Sequence, residues 1–177
     1  MTEEFKNQIE ESGVYEYGCV PTESVTFYHE VRKMCEVNTC GSYDKKWSCP
    51  PGVGTVEECE TRCKKYKTML VFSGKYDLED SFDYEGMEAG QADFKKVVRA
   101  LEKNISPILS DYMMLSNEGC DLCGKCTYPD PCRFPEKVHG TIEGYGIFVS
   151  ELAKSAGMKY NNGENTVTYF AALLFNE

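Results

Sequence analysis

The sequence lacks any stretch able to cross a bilayer. Its longest apolar run, YFAALLF at residues 169–175, falls far short of the roughly 20 residues a membrane-spanning helix takes. It begins MTEEFKNQIEES, acidic and polar with no apolar segment behind it, so the start does not read as a secretory signal. The expectation is a soluble cytoplasmic protein with no membrane role. Positive charge is scarce too: 19 Lys and Arg against 29 Asp and Glu leave a formal net charge of −10. A general binder of nucleic acid or anionic lipid carries the opposite sign. Histidine is limited to His29 and His139. Neither has a spacing to Cys35 or Cys132 that favours a thiol–imidazole nucleophile. His139 lies between Glu136 and Glu143, which suggests a surface ion pair. No G-x-G-x-x-G and no phosphate-binding loop occurs, so a nicotinamide or nucleotide site has no support. The acidic segment 77–88, with Asp77, Glu79, Asp80, Asp83, Glu85 and Glu88, misses the calcium-loop spacing and reads as a solvated loop or docking face.

What the chain has in excess is cysteine, ten in 177 residues. With 41% hydrophobic residues it can bury a core without crosslinks. Without a secretion signal, clustered cysteines point to metal or redox chemistry rather than disulfides. Six lie in residues 19–63 and four in 120–132, with 56 cysteine-free residues between.

Between and around these clusters the pattern is that of an ordinary scaffold. Residues 1–12 read as a short helix or arm, and 25–35 as another short helix. Residues 36–54 are rich in Gly and Pro and read as irregular backbone. TVEECETRCKKYK, 55–67, begins a helix through Thr55 and Glu58, a capping box, with its lysines at the end the helix dipole prefers. TMLVFSG, 68–74, reads as a buried strand. Residues 91–109 place Phe94, Val97, Val98, Leu101 and Ile105 at helical spacing before Pro107. Residues 112–116 read as a strand. Thr141 to Ala156 read as a helix with Ile147, Phe148, Leu152 and Ala156 inward and Gly157 as its cap. Residues 165–175 form a last strand. The expected fold is α/β, residues 1–177 as a single domain: a small helix-covered sheet of three to four strands. Two cysteine-rich metal-binding loops, 35–54 and 119–135, are inserted in it.

Cys120, Cys123 and Cys126 form C-x2-C-x2-C, with Cys132 six residues on. Structural zinc sites mostly use two C-x2-C knuckles far apart in sequence, because two turns grip one tetrahedral ion. Three cysteines at successive spacings of three instead wrap a larger object, as in ferredoxins. There the fourth cysteine serves another cluster. Here Pro129 and Pro131 stiffen the approach of Cys132, which favours a local fourth ligand. Gly119 and Gly124 free backbone amides to point at sulfur, and Lys125 and Arg133 could offset thiolate charge. In the other loop, Cys35, Cys40 and Cys49 follow C-x4-C-x8-C, which fits no zinc template. Trp47, the only tryptophan, either shields a site or simply packs. Cys59, Cys63, Cys19 and His29 are candidates for a fourth ligand, and Cys59 is favoured because it lies across a short loop from Cys49. Cys59 and Cys63 share a helix face, which also fits two buried core thiols.

The runs C-x4-C-G-x-Y-x3-W-x-C-P-P-x-V-G (35–54) and C-x2-C-x2-C-T-Y-P-D-x-C-R-x-P-E (from 120) resemble a family of predicted metal-binding proteins, domain of unknown function 2284, from anaerobic bacteria and methanogenic archaea. The likeness covers nearly the whole chain and extends to E-x2-G-I-x-V (143–149) and VTYFAALLF. It implies metal ligands at Cys35, Cys40, Cys49, Cys120, Cys123, Cys126 and Cys132, and it leaves Cys19 and Cys63 outside the pattern. It implies no reaction.

The leading expectation is an iron–sulfur protein with one or two [4Fe–4S] clusters, carrying electrons to or from a partner enzyme in anaerobic metabolism. One alternative is a redox enzyme in which Cys35, Cys40 and Cys49 hold a cluster with an open iron that acts on a small molecule or sulfur species. Another is a zinc-stapled interaction module. The sequence leaves open whether the protein is an enzyme.

Overall fold

The computed structural model describes residues 1–176. The sheet rests on two ten-residue strands, residues 68–77 and 166–175, each built on an apolar run, MLVF at 69–72 and YFAALLF at 169–175. Each is an extended strand whose alternate side chains point to opposite faces. They form β2 (Thr68–Asp77) and β5 (Thr166–Phe175), paired antiparallel from Thr68↔Phe175 to Asp77↔Thr166. β1 (Glu16–Pro21) adds to the far side of β2, and β3 (Tyr112–Ser116) pairs antiparallel with β5. β4 (Gly140–Thr141) runs parallel to β3. The order is β1-β2-β5-β3-β4, so the sheet has five strands rather than the expected three to four.

Among the described residues five α-helices cover it: α1 (Glu3–Glu11), α2 (His29–Glu36), α3 (Val56–Cys63), α4 (Tyr84–Ile105) and α5 (Val149–Ser155). On one face α1 and α4 bring Phe5, Ile9, Phe94, Val98, Leu101 and Ile105 onto Leu70, Phe72, Ala171, Leu173 and Phe175. On the other, α3, α5 and the short turn between β4 and α5 bring Cys59, Cys63, Tyr145, Leu152 and Ala153 onto Met69, Val71, Phe170, Ala172 and Leu174. Both faces of β2 and β5 are therefore buried, which is why these strands read as continuous apolar runs. Phe72, Phe94 and Phe175 are fully buried, each contributing up to about 3 kcal/mol by removal from water. Among the described residues no helix is long and apolar enough to cross a membrane.

Helix starts follow local chemistry. Thr55 and Glu58 form the expected capping box at α3, with Thr55 Oγ1 accepting from Glu58 N and Glu58 Oε2 accepting from Thr55 N. Asp83 caps α4 by accepting from Gly86 N at 2.8 Å. α4 thus begins inside the segment expected to be an acidic loop, and it ends at Ile105, before Pro107.

Three further expectations are corrected. β1 was not expected at all, because EYGCVP has no apolar alternation. Its glycine allows the strand to lie against the end of α5: a Cβ at Gly18 would stand 2.1 Å from the Ala156 carbonyl oxygen. The helix expected over 141–156 is three pieces: β4, a single 3-10 turn at Glu143–Tyr145, and α5. Gly146 breaks it with φ at 83°, a left-handed conformation that glycine adopts freely. The expected pair of cysteine-rich metal-binding loops is also not found as such. Among the described residues no three or more His, Cys, Asp or Glu side chains converge so as to hold a metal ion. Neutral thiols pack singly as small apolar groups, and nothing in apolar packing draws sulfurs together.

Replacing Gly18 with Ala should force β1 away from the Ala156 carbonyl. The expected cost is about 1–3 kcal/mol, typical of overpacking, read as a lower midpoint of chemical denaturation. An unchanged midpoint would show that the β1–α5 contact is not tight.

Candidate functional site

The two cysteine-rich segments enter the fold at different places. Residues 37–55 connect α2 to α3, and residues 117–139 form the crossover from β3 to β4. The crossover is tied down at both ends by one face of α4. Lys95 pairs with Glu118 and, at 3.0 Å, with Asp121, which Arg99 also engages. At the far end His139 Nε2 meets Glu102 Oε1 at 2.9 Å. Positions 95, 99 and 102 share a helix face by their spacing. Burial alone would raise the Asp121 pKa, but Lys95 and Arg99 hold its carboxyl below the usual range. His139, expected to pair on the surface with Glu136 or Glu143, is instead half-buried and bonded to Glu102.

The segments pack on each other. Ser48, fully buried, accepts a hydrogen bond from Cys120 N at 2.8 Å through its hydroxyl. Trp47 Nε1 donates to the Asp130 carbonyl at 2.9 Å, and its ring meets Tyr128 edge-on at 5.0 Å. Cys49 Sγ lies so close to Gly119 that a Cβ there would come within 3.0 Å of it. Trp47 therefore does more than pack in its own loop: it reaches across to the other.

Cys120, Cys123, Cys126 and Cys132 all line one recess, together with Trp47, Leu122, Phe134 and Val138. Two backbone amides point at its sulfurs. Phe134 N donates to Cys132 Sγ at 3.4 Å, and Leu122 N donates to Cys120 Sγ. Neither donor is one of the glycines singled out in the sequence; each sits two residues after the cysteine it serves. Of the two nearby cations, Arg133 donates to the Lys125 carbonyl at 3.2 Å, so its contact is with the loop's backbone.

Cys35, Cys40 and Cys49 lie near one another and near Cys120, without converging so as to hold a metal ion among the described residues. Cys35 feels the charge of Cys40 and Cys49, Cys49 that of Cys40 and Cys120, and Cys120 that of Cys132 and Cys123. Burial pushes the Cys35 thiol up to about 11, with the neighbouring Glu143 charge adding to the effect. Burial also raises Cys49 and Cys120, opposed in part by Ser48 and Lys46 at the first and by the Leu122 amide at the second. These thiols are protonated at neutral pH. A cation binding them must displace protons, so its affinity rises with pH. Glu143 keeps solvent contact on one side, yet protein crowds its carboxyl enough to raise its pKa.

Cys59, favoured in the sequence as a further ligand, lies fully buried in the core. Its sulfur accepts from Arg62 Nη2 at 3.1 Å and Arg32 Nη2 at 3.4 Å. Arg32 also holds the Gly54 carbonyl at 2.7 Å, and Arg62 the Val53 carbonyl. Burial raises the Cys59 pKa against the pull of both guanidiniums, and burial raises that of Cys63 further. His29 pairs with Glu57 at 3.0 Å, and Cys19 is exposed on β1. Arg32, Ser48, Arg62 and Tyr145 were not legible as site residues. Only Arg62 had a sequence signal, three residues from Cys59 on the same helix.

Ser48→Ala should leave the Cys120 amide without its acceptor. Hydrogen exchange at Cys120 should accelerate, and stability should fall by roughly 1–3 kcal/mol, with the amides of β2 and β5 still protected. Unchanged exchange at Cys120 would mean that Ser48 does not join the two segments.

No curated protein matches the chain. Among solved structures, epoxyqueuosine reductase from Streptococcus thermophilus is similar at 12% identity and a TM-score of 0.46; the match covers 97% of this chain and 44% of the reductase. The chain thus spans less than half the length of that enzyme. The family described as "Predicted metal-binding protein (DUF2284)" matches residues 18–175, a range that contains all ten cysteines. The chain belongs to this family of predicted metal-binding proteins.

Proposed function

We propose that the recess lined by Cys120, Cys123, Cys126 and Cys132 is where this protein binds metal, in the form of an iron–sulfur cluster, and that it exchanges electrons there with a partner protein. The observation that carries this reading is four thiols on one recess with two backbone N–H groups directed at sulfur. Amide donors of this kind stabilise thiolate charge and tune the potential of a thiolate-held cluster. The donor set also fits: it is all sulfur, without imidazole or carboxylate, which suits iron–sulfur or zinc over hard cations. The successive spacings of three favour the larger object over a single zinc ion.

The chain's own residues do the rest. Trp47, Leu122, Phe134 and Val138 limit water around the sulfurs. Leu122 and Phe134 are 43% and 44% exposed at its rim, an apolar collar suited to a small, transient docking contact. Cys35, Cys40 and Cys49 supply a second thiol group, joined to the first through the Cys49–Cys120 neighbourhood. A cluster held at such a place passes single electrons.

Anaerobic purification with analysis of iron, zinc and acid-labile sulfide tests this. The protein should be coloured and contain iron with sulfide in comparable amounts. Cys123→Ser should lose that iron, while Cys63→Ser should keep it. A colourless protein that holds zinc and no sulfide would replace the iron reading with the zinc-stapled one, and retention of all iron in Cys123→Ser would move the site elsewhere.

A further inference from the structure

A second cleft opens beside the thiol recess and shares Trp47, Cys132 and Val138 with it. It has a volume of about 260 Å³, and its other walls include Val53, Arg62 and Tyr145. No Asp or Glu lines it, although the chain carries a net charge of −10. Its one charged group is the Arg62 guanidinium, which lies 5.2 Å from the centre of the Tyr145 ring. Among the described residues Arg62 has no carboxylate partner: its Nη2 serves the Val53 carbonyl and Cys59 Sγ, the guanidinium also meets Tyr145, and its Nε is buried with no hydrogen-bond partner. The Tyr145 hydroxyl meets the Met113 thioether at 3.7 Å, a weak acceptor, and its other side-chain partner is the Arg62 guanidinium.

The larger groove of about 440 Å³ between α4 and the start of the crossover is different. Its Lys95 and Arg99 pair with Glu118 and Asp121, His139 is bonded to Glu102, and Lys103 and Lys137 line it beside Glu136, so its wall is mixed in charge whereas the smaller cleft has no carboxylate.

We propose that the smaller cleft binds a small planar carboxylate, with Arg62 as its anion partner and the Trp47 and Tyr145 rings as its walls, next to Cys132. A guanidinium presents a rigid fork of donors that matches a carboxylate. Two aromatic walls and two valines accept a flat apolar body. The volume limits the ligand to something smaller than a typical drug-sized molecule. The groups that would hold this ligand are the cleft's own, whatever the thiols beside it bind.

Benzoate is the probe, with benzyl alcohol as its uncharged counterpart. Both are titrated into the protein as purified and followed by calorimetry and by the emission of Trp47, the only tryptophan. Benzoate should bind saturably, change Trp47 emission and bind more tightly than benzyl alcohol. Arg62→Gln should weaken benzoate by about tenfold or more and leave benzyl alcohol unaffected. Because Arg62 also braces the core, Val138→Phe serves as a second variant that fills the cleft while sparing the guanidinium; it should weaken both ligands. Circular dichroism and metal content, measured on every sample, separate loss of fold or metal from loss of the cleft. Benzoate binding no tighter than benzyl alcohol, or binding unchanged in folded Arg62→Gln and Val138→Phe, would overturn the proposal.

Discussion

A buried serine hydroxyl holds the two cysteine-rich segments together. Ser48 Oγ accepts from Cys120 N at 2.8 Å inside the protein, where leaving that amide unpaired would cost a substantial part of a hydrogen bond's gross energy. This bond brings Cys49 against Gly119 and lets Trp47 reach Asp130 and Tyr128. The segments are separated by more than half a hundred residues in sequence, yet they form one packed unit. The thiol recess, its tryptophan wall and the neighbouring Arg62 cleft all depend on that junction.

The sheet contributes rigidity rather than chemistry. β2 and β5, buried on both faces, form the stiff centre. The thiol-bearing crossover leaves from β3 and returns at β4, on the other side of β5 from β1. Ion pairs from one face of α4 secure it at each end, so the loop's position is set by a long helix that is itself locked onto the sheet through Phe94, Val98, Leu101 and Ile105. Lys95, His139 and their partners Glu118 and Glu102 are partly buried, and the effect of these contacts is to limit where the loop can go.

Charge is distributed unevenly in a way that fits binding. The chain is acidic overall, but Arg32 and Arg62 converge on Cys59 at the edge of the core and hold the carbonyls of Val53 and Gly54. These arginines fix the end of the first cysteine-rich segment and present positive charge beside the thiols. Burial keeps Cys35, Cys49 and Cys120 protonated at neutral pH, so a metal must compete with protons for these sulfurs, and two of the four thiols on the recess already have amide donors that favour the thiolate.

Much of this was legible in the residues alone. The capping box at Thr55 and Glu58, the strands at 68–74 and 165–175 and the apolar stripe of α4 all follow from spacing, which records local geometry and burial directly. β1 was not legible, because EYGCVP becomes a strand only through β2 and through the space Gly18 leaves for Ala156. Nor was the breakup of 141–156, where Gly146 takes a left-handed turn against Tyr28, whose amide donates to the Gly146 carbonyl at 2.6 Å. The sequence by itself determined which sulfurs are available and the strands and helices that carry them, because those depend on neighbours a few residues away. Tertiary structure alone decided that Ser48 and Trp47 join two distant loops, that Cys59 lies between two guanidiniums, and that Arg62 has no carboxylate partner among the described residues, because hydrogen bonding and burial across the fold depend on residues that no local pattern connects.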